Sequence, residues 1–232
     1  MHYIKLVIFD LDGTLVDSIA ELVAATNHVR SVFGLPQFTE CEVRKMLGNG
    51  GQRLVEKALP EAGPAELKRA DAEYLLYSEV HLLTSTRTYP GVVDTLAELK
   101  RNGVPMAIIS SKHSMLSRKL LRRLGIDAYF LAILGSDSLP FRKPSPELIL
   151  KLLGDLRMDA CEGVIVGDSM SDILAGKRAG VVTVGCSYGY GNASELTHAD
   201  YRISSMPELL RLPLFGKLTC QTVEKPSLRL IF

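Results

Sequence analysis

Two aspartates one residue apart, Asp10 and Asp12, directly follow the apolar run LVIF at residues 6–9. A short run of β-branched and aromatic residues that ends in turn-forming residues is typical of a buried parallel strand. Both carboxylates therefore fall at the carboxyl end of a strand, where open α/β sheets build their sites. Two neighbouring carboxylates repel each other, so the pair predicts a bound cation or a shared proton. Gly13 and Thr14, which follow, favour a sharp turn.

Hydroxyl groups and a lysine follow at two later points of the chain. Ser110 and Ser111 come after a second apolar run and before a helix that begins near Ser114. Hydroxyl groups beside the free N–H groups of a helix start form a cradle for an anion, although serine there is also a common helix cap. Lys143 stands before Pro144, which stiffens the loop, so its ammonium loses little freedom on meeting a phosphate.

A second pair of acids, Asp168 and Asp172, follows another apolar run. Residues four apart share one face of a helix, so the two carboxylates can converge, although a helix cap followed by a first-turn acid has the same spacing. Oxygen ligands with a lysine, and without a His/Cys cluster, suit Mg²⁺ and phosphate rather than zinc. The combination predicts a site for Mg²⁺ and a phosphate group.

These residues must be positioned by strands that alternate with helices. Apolar, strand-like runs recur along the chain, and the helices between them end at glycine; the runs are residues 6–9, 104–109, 164–166 and 181–184, with a weaker one at 129–134. This alternation predicts an α/β fold with a doubly wound, Rossmann-like parallel sheet.

Residues 17–87 show helical periodicity and no good strand, which predicts an inserted helical subdomain. Its expected helices are residues 18–33, one opened by the capping box Thr39-x-x-Glu42, 52–59 and 65–83. We therefore expect a core of residues 1–16 and 88–212, a helical insertion at 17–87, and a tail at 213–232 whose structure the pattern does not decide.

Composition narrows the class of protein. The chain has 232 residues, of which 47% are hydrophobic and 23% charged, with a formal net charge of +1 and no long basic block. These values favour a globular protein that binds no nucleic acid. No apolar run approaches the roughly 20 residues of a membrane span. Four widely separated cysteines and an N-terminus without signal-peptide organisation predict a cytoplasmic location, with no membrane partner.

On the basis of these residues, the chain resembles the haloacid dehalogenase superfamily of phosphohydrolases over residues 5–212. The four motifs that carry the resemblance are Asp10-x-Asp12-Gly13-Thr14, Ser110, Lys143 and Gly167-Asp168-Ser169-x-x-Asp172. The helical insertion resembles the cap domain of one subgroup. Within the superfamily, phosphoglycolate phosphatases are the most similar, through Leu47-Gly48-Asn49-Gly50 and Ser187-Tyr188-Gly189-Tyr190-Gly191. The chain departs from their usual pattern at Ser111-Lys112-His113 and at Phe141-Arg142.

The resemblance implies roles for the acids. Asp10 is implied as the nucleophile that forms an aspartyl-phosphate, and Asp12 as the acid that protonates the leaving group and later activates water. Mg²⁺ is expected on Asp10, Asp168 and the backbone carbonyl of Asp12. Asp172 is expected to act through a metal-bound water or to orient its neighbours.

The resemblance also implies the binding groups. Ser110, Ser111 and Lys143 are expected to bind the phosphate. Gly48, Asn49 and Gly50, in the cap, are expected to read the organic part of the substrate.

The function implied is Mg²⁺-dependent hydrolysis of a small phosphomonoester, with 2-phosphoglycolate expected, by a monomer or homodimer whose partner is a small phosphorylated metabolite. A pyrophosphatase or a sugar-phosphate mutase would share all four motifs. A receiver-like phospho-switch and an inactive binding protein are alternatives of another class. The D-x-D-G-T placement and the large helical insertion oppose the receiver.

Overall fold

The computed structural model describes residues 4–47, 54–192 and 194–215. Within these ranges the chain forms the following strands: β1 (Leu6–Phe9), β2 (Val16–Asp17), β3 (Arg87–Thr88), β4 (Met106–Ile109), β5 (Ala132–Leu134), β6 (Gly163–Gly167), β7 (Val182–Cys186) and β8 (Tyr201–Ile203). The helices are α1 (Ile19–Val32), α2 (Glu40–Met46), α3 (Leu54–Ala58), α4 (Pro64–His81), α5 (Val92–Arg101), α6 (Ser114–Arg123), α7 (Glu147–Leu156) and α8 (Met170–Ala179).

Six of the strands form one parallel sheet in the order β5-β4-β1-β6-β7-β8. The predicted strand β1 lies at its centre, and all four of its residues are buried. Successive side chains of a strand point to opposite faces, so Val7 and Phe9 join the core under α5 and α6, whereas Leu6 and Ile8 join the core under α7 and α8. A sheet covered by helices on both faces confirms the doubly wound α/β prediction.

A two-stranded antiparallel ribbon, β2 with β3, carries the chain out of the core and back. Helices α1 to α4 lie between these two strands in the chain. A small apolar cluster joins α1, α3 and α4 through Val29, Val55, Leu59 and Ala70. The capping box predicted at Thr39 is present, since the Glu42 N–H donates to Thr39 Oγ1 and the Thr39 N–H donates to Glu42 Oε2. The ribbon lies where the sequence divides core from cap, and the division into separate units stays a prediction.

The edges of the sheet differ from the expectation. Strand β8 was not predicted, because three residues with an exposed arginine in the middle give little apolar pattern. The weak run at 129–134 yields a strand only from Ala132. Its beginning belongs to a 3-10 turn, Asp127–Tyr129, where the Phe130 N–H bonds locally to the carbonyl of Asp127.

The first residues of the predicted tail are part of the core. Leu214 and Phe215 are buried in the main apolar cluster, and the Ile4 N–H donates to the Leu214 carbonyl at 3.2 Å. The rest of that tail, residues 216–232, lies outside the described residues. Over the ranges that are described, no helix combines the length and apolar character needed to cross a membrane.

Candidate active site

Three aspartates meet at the carboxyl ends of two neighbouring strands. Asp10 directly follows β1 and Asp168 directly follows β6, while Asp172 lies in the first turn of α8. One carboxylate oxygen from each lies within 4.8 Å of the others, and all three residues are buried. Buried carboxylate oxygens gathered in this way are ligands for a hard divalent cation, so the three-acid cluster fits a divalent metal site.

The electrostatics of the three-acid cluster also favour a cation. Burial, with a smaller contribution from the carboxylates of Asp172 and Asp168, raises the pKa of Asp10 to about 8, although the Lys143 ammonium opposes the rise. Burial likewise raises the pKa of Asp168 to about 7, with the carboxylate of Asp172 adding to the effect. A bound divalent cation would favour the ionised form of both groups, because its charge would offset the burial and the repulsion that favour protonation.

Lys143 lies between two of these acids. Its Nζ is 2.7 Å from Asp10 Oδ1 and 2.6 Å from Asp172 Oδ1, and the residue is only 4% exposed. Burial alone would lower the pKa of Lys143, but the two carboxylates outweigh it and raise the pKa above its ordinary value. The side chain is therefore an ammonium. When all three aspartates are ionised, one ammonium among them leaves negative charge for a metal cation to balance.

Backbone N–H groups of a distant loop orient Asp168. Its Oδ2 accepts hydrogen bonds from the N–H of Tyr190 at 2.7 Å and from that of Gly191 at 3.3 Å. Its Oδ1 accepts one from Thr14 Oγ1 at 3.2 Å. Gly191 packs so closely here that a Cβ on it would clash with the carbonyl oxygen of Asp168. The sequence singled out this loop only by resemblance; its role as a clamp on Asp168 comes from the fold.

The donors that contact Asp12 differ from those that contact the three-acid cluster. Its Oδ1 accepts a hydrogen bond from Ser18 Oγ at 2.6 Å and from Lys112 Nζ at 3.2 Å. Lys112 also lies 3.2 Å from Glu21 Oε2. Sequence reasoning missed Lys112 and Glu21 as site residues. The one available signal was the position of Lys112, directly after the two predicted serines.

The predicted serines follow β4 at the same edge of the sheet. Ser110 is buried, its Oγ accepts a hydrogen bond from the Lys112 N–H at 3.1 Å, and Ser111 is exposed. Both serines line the same cavity as Asp10, Asp12 and Lys143. The structure thus brings six of the core residues that the sequence singled out to one cavity, namely Asp10, Asp12, Ser110, Ser111, Lys143 and Asp168. Asp172 is fully buried and joins them through its ion pair with Lys143.

The cavity has a volume of about 420 Å³ and lies between the sheet edge and the cap helices. Acids and lysines of the core line its floor, whereas the cap contributes mainly apolar side chains, among them Leu22, Leu54, Val55 and Tyr74. The predicted specificity residues Gly48, Asn49 and Gly50 lie outside the described residues. Their part in the site therefore stays a prediction.

Comparisons of the sequence with a family model and with known proteins indicate the same family. A family model described as haloacid dehalogenase-like hydrolase matches residues 7–186. The phosphoglycolate phosphatase of Neisseria meningitidis is 37% identical over 219 residues, which are 90% of this chain and 93% of that protein. Phosphoglycolate phosphatase 1 of Pseudomonas aeruginosa is 41% identical over 195 residues, which are 81% of this chain and 71% of that protein.

Solved structures show the same likeness. A crystal structure of a predicted phosphoglycolate phosphatase from Haemophilus somnus superposes with a TM-score of 0.84 at 32% identity, covering 91% of this chain and 98% of that one. CbbY from Rhodobacter sphaeroides, solved in complex with phosphate, gives a TM-score of 0.76 at 26% identity, covering 89% of this chain and 96% of that one.

Proposed function

Since this chain belongs to the haloacid dehalogenase-like hydrolase family and is a phosphoric monoester hydrolase, we propose that it hydrolyses 2-phosphoglycolate with Mg²⁺. The observation that carries the proposal is the Lys143 ammonium, held between Asp10 and Asp172 inside a buried cluster of carboxylates at a cavity. An ionised nucleophile, a cation site and a fixed ammonium are what a phosphate dianion needs at one place.

Asp10 is the proposed nucleophile. Its carboxylate attacks phosphorus, so that a bond forms between an Asp10 oxygen and phosphorus while the bond from phosphorus to the ester oxygen breaks. Asp12 gives its proton to the departing alkoxide. Asp12 then takes a proton from a water molecule, which attacks the phosphorus of the aspartyl-phosphate, releases inorganic phosphate and restores the Asp10 carboxylate.

The metal site of this proposal uses Asp10, Asp168 and the backbone carbonyl of Asp12. Bound there, Mg²⁺ would neutralise the carboxylates and polarise the phosphoryl group. Asp172 has both oxygens engaged, since Oδ1 accepts from Lys143 and Oδ2 accepts from the hydroxyl and the N–H of Ser169. Its proposed role is accordingly to orient Lys143 and the start of α8.

Ser110, Ser111 and Lys143 are the proposed phosphate-binding groups. Lys143 is rigid and charged, and Ser110 lies at the end of β4 beside the start of α6. The hydroxyls of Ser110 and Ser111 supply neutral donors, which add hydrogen bonds to a phosphate without a further full charge.

The names of the relatives in Neisseria meningitidis and Pseudomonas aeruginosa support 2-phosphoglycolate as substrate. They favour a phosphatase over a pyrophosphatase or a mutase. The cap turn at residues 48–50 is proposed to contact the organic part of the substrate.

We also propose that the enzyme is cytoplasmic and is a monomer or homodimer. The described cysteines Cys41, Cys161 and Cys186 are free thiols, which is consistent with a reducing compartment.

Phosphate release from a panel of phosphomonoesters and pyrophosphate, with Mg²⁺ and with EDTA, tests the proposal. We expect release that depends on Mg²⁺ and a kcat/KM highest for 2-phosphoglycolate. A higher value for another ester would retain the chemistry and overturn the substrate. No release from any ester by folded, Mg²⁺-treated protein would overturn the chemistry itself.

A further inference from the structure

A buried ion-pair cluster joins core and cap beside Asp12. The Nζ of Lys112 lies 3.2 Å from Asp12 Oδ1 and 3.2 Å from Glu21 Oε2. The three side chains are 4%, 15% and 1% exposed, in the order Lys112, Asp12, Glu21. Lys112 belongs to the core, two residues beyond Ser110, whereas Glu21 lies on α1, the first cap helix. The contact therefore ties two parts of the molecule together at the candidate acid.

The two buried lysines of the site serve different acids. Lys143 pairs with the nucleophile Asp10 and with Asp172, and Lys112 pairs with Asp12 and Glu21. A buried ammonium needs carboxylate partners to offset its desolvation. Because Asp12 and Glu21 each have a carboxylate oxygen 3.2 Å from Lys112 Nζ, the ammonium is engaged with Asp12.

The donors around Asp12 leave one of its oxygens less engaged than the other. Oδ1 accepts from Ser18 Oγ at 2.6 Å and from Lys112 Nζ at 3.2 Å, whereas Lys112 Nζ is 3.5 Å from Oδ2. Two donors on one oxygen fix the rotation of the carboxyl group. The more weakly engaged Oδ2, which Lys112 Nζ reaches only at 3.5 Å, is then the oxygen that carries the proton an acid must deliver.

Burying the carboxyl group of Glu21 is unfavourable unless a partner offsets its desolvation. Burial raises the pKa of Glu21, and Lys112 opposes that rise. The groups that face this cluster from the adjoining helix are Tyr74 and Ser78 of α4. The geometry, with Lys112 between one acid of the core and one of the cap, gives Glu21 the function of holding Lys112 against Asp12.

We propose that Lys112 is a positioning residue that holds the Asp12 carboxyl where it protonates the leaving group, and that Glu21 of the cap locks Lys112 in that place. This inference rests on the proposed function, in which Asp12 is the acid. It adds that the cap must sit against the core for the acid to be correctly aimed.

Leaving-group dependence separates this role from a merely structural one. We would measure kcat/KM, which reports the steps up to departure of the leaving group, for 2-phosphoglycolate and for 2,4-dinitrophenyl phosphate. The alkoxide of 2-phosphoglycolate needs a proton to leave, whereas dinitrophenolate does not. We expect Lys112→Met to lower kcat/KM for 2-phosphoglycolate by about 10²-fold and for the aryl ester by less than about threefold.

The variants Asp12→Asn and Glu21→Gln complete the comparison. Asp12→Asn should show the same selective loss, and adding Lys112→Met to it should cost little more, because both changes remove one function. Glu21→Gln keeps the shape and should lose about tenfold on 2-phosphoglycolate only. If Lys112→Met does not fold, as shown by the absence of cooperative unfolding, Glu21→Gln tests the proposal instead. The deciding quantity is again the ratio of its losses in kcat/KM on the two esters.

Lys119→Met is the matched control. Lys119 of α6 pairs with Glu79 of α4, so this change also removes an ion pair between core and cap, but one that is half-exposed and outside the site. It should leave kcat/KM for both esters within about twofold of the wild type, as surface pairs contribute little.

Equal losses on the two esters for the Lys112 and Glu21 variants would overturn the proposal, as would losses that add fully to that of Asp12→Asn. Failure of the proposed function looks different. In that case the wild-type protein releases no phosphate from either ester, or Asp12→Asn itself shows no dependence on the leaving group.

Discussion

The backbone N–H of Tyr190 lies 2.7 Å from Oδ2 of Asp168, although 22 residues of chain separate the two. The N–H of Gly191 reinforces this contact at 3.3 Å. A carboxylate that accepts hydrogen bonds from fixed backbone donors keeps its orientation without help from flexible side chains. The loop after β7 is thus a part of the candidate metal site even though it supplies no carboxylate.

Gly191→Ala should displace this loop, because a Cβ there meets the carbonyl oxygen of Asp168 and backbone cannot yield easily. We expect about 10–100-fold weaker activation by Mg²⁺, measured from phosphate release against Mg²⁺ concentration. Gly154→Ala is the control, since Gly154 lies within α7 and a Cβ there meets nothing. That variant should keep full activity and gain about 0.5–1 kcal/mol in the free energy of unfolding. Normal Mg²⁺ activation in Gly191→Ala would show that the clamp on Asp168 is dispensable.

Asp10→Asn should abolish turnover, with a loss of about 10³-fold or more in kcat, because an amide oxygen is a poor nucleophile toward phosphorus. The fold should survive. An amide oxygen still accepts a hydrogen bond from Lys143, and the change removes one charge from a crowded cluster of acids. Phosphate release and thermal unfolding, measured on the same preparation, check both halves. Activity within tenfold of the wild type would remove Asp10 from the nucleophile's role.

Lys143→Met should destabilise the metal-free protein at pH 8, where loss of the ammonium leaves buried carboxylates without their partner. Removing one member of a buried pair costs about 3–5 kcal/mol, measured as the free energy of unfolding in urea. The loss should shrink at pH 5, since Asp10 and Asp168 are then protonated. Lys151→Met, which removes a half-exposed pair with Asp155, should cost under about 1 kcal/mol at either pH. A loss independent of pH would argue against the paired-charge account.

The raised pKa values of Asp10 and Asp168 predict how stability depends on pH. Their folded values, about 8 and about 7, exceed the ordinary value of 3.8, so the folded state binds more protons than the unfolded chain between these limits. The contribution of these two groups to the stability of the metal-free protein therefore falls as pH rises from about 4 to about 8.

Mg²⁺ should reverse this trend, because binding requires the ionised carboxylates and releases their protons. We expect saturating Mg²⁺ to raise the melting temperature more at pH 8 than at pH 6, as measured by calorimetry against samples with EDTA. Asp168→Asn should lose most of that increase. An equal rise at both pH values, or a larger one at pH 6, would contradict the predicted linkage between metal and protons.

Local pattern was enough to predict the central part of the fold. The run at residues 6–9 is apolar on both faces, so it could be predicted as a buried strand of a parallel sheet, and Asp10 at its end followed. Lys143 and Asp168 were likewise found from the turns that follow or precede regular elements. Strand β8 could not be found in this way, because a short edge strand has little apolar pattern of its own.

Contacts between distant segments explain what the sequence did not predict. Glu21 and Lys112 stand 91 residues apart, and each alone looks like an ordinary charged residue on a helix or loop. The Tyr190 clamp uses backbone N–H groups, whose partners no residue type reveals. Side-chain chemistry at strand ends can be predicted from sequence, whereas the donors that orient it depend on the folded arrangement.

The ribbon formed by β2 and β3 pairs Val16 with Thr88 and Asp17 with Arg87, so the chain leaves the core and re-enters it at adjacent points. In topology, the helical segment between β2 and β3 is the loop of a β-hairpin. The entropic cost of closing such a loop grows only slowly with its length. Segments of other sizes grafted between these residue pairs would leave the strand register undisturbed, and they would keep Asp12 in place where they retain Ser18 and Glu21. The architecture thus permits the rest of the inserted segment to vary in length while the groups at the strand ends keep their places.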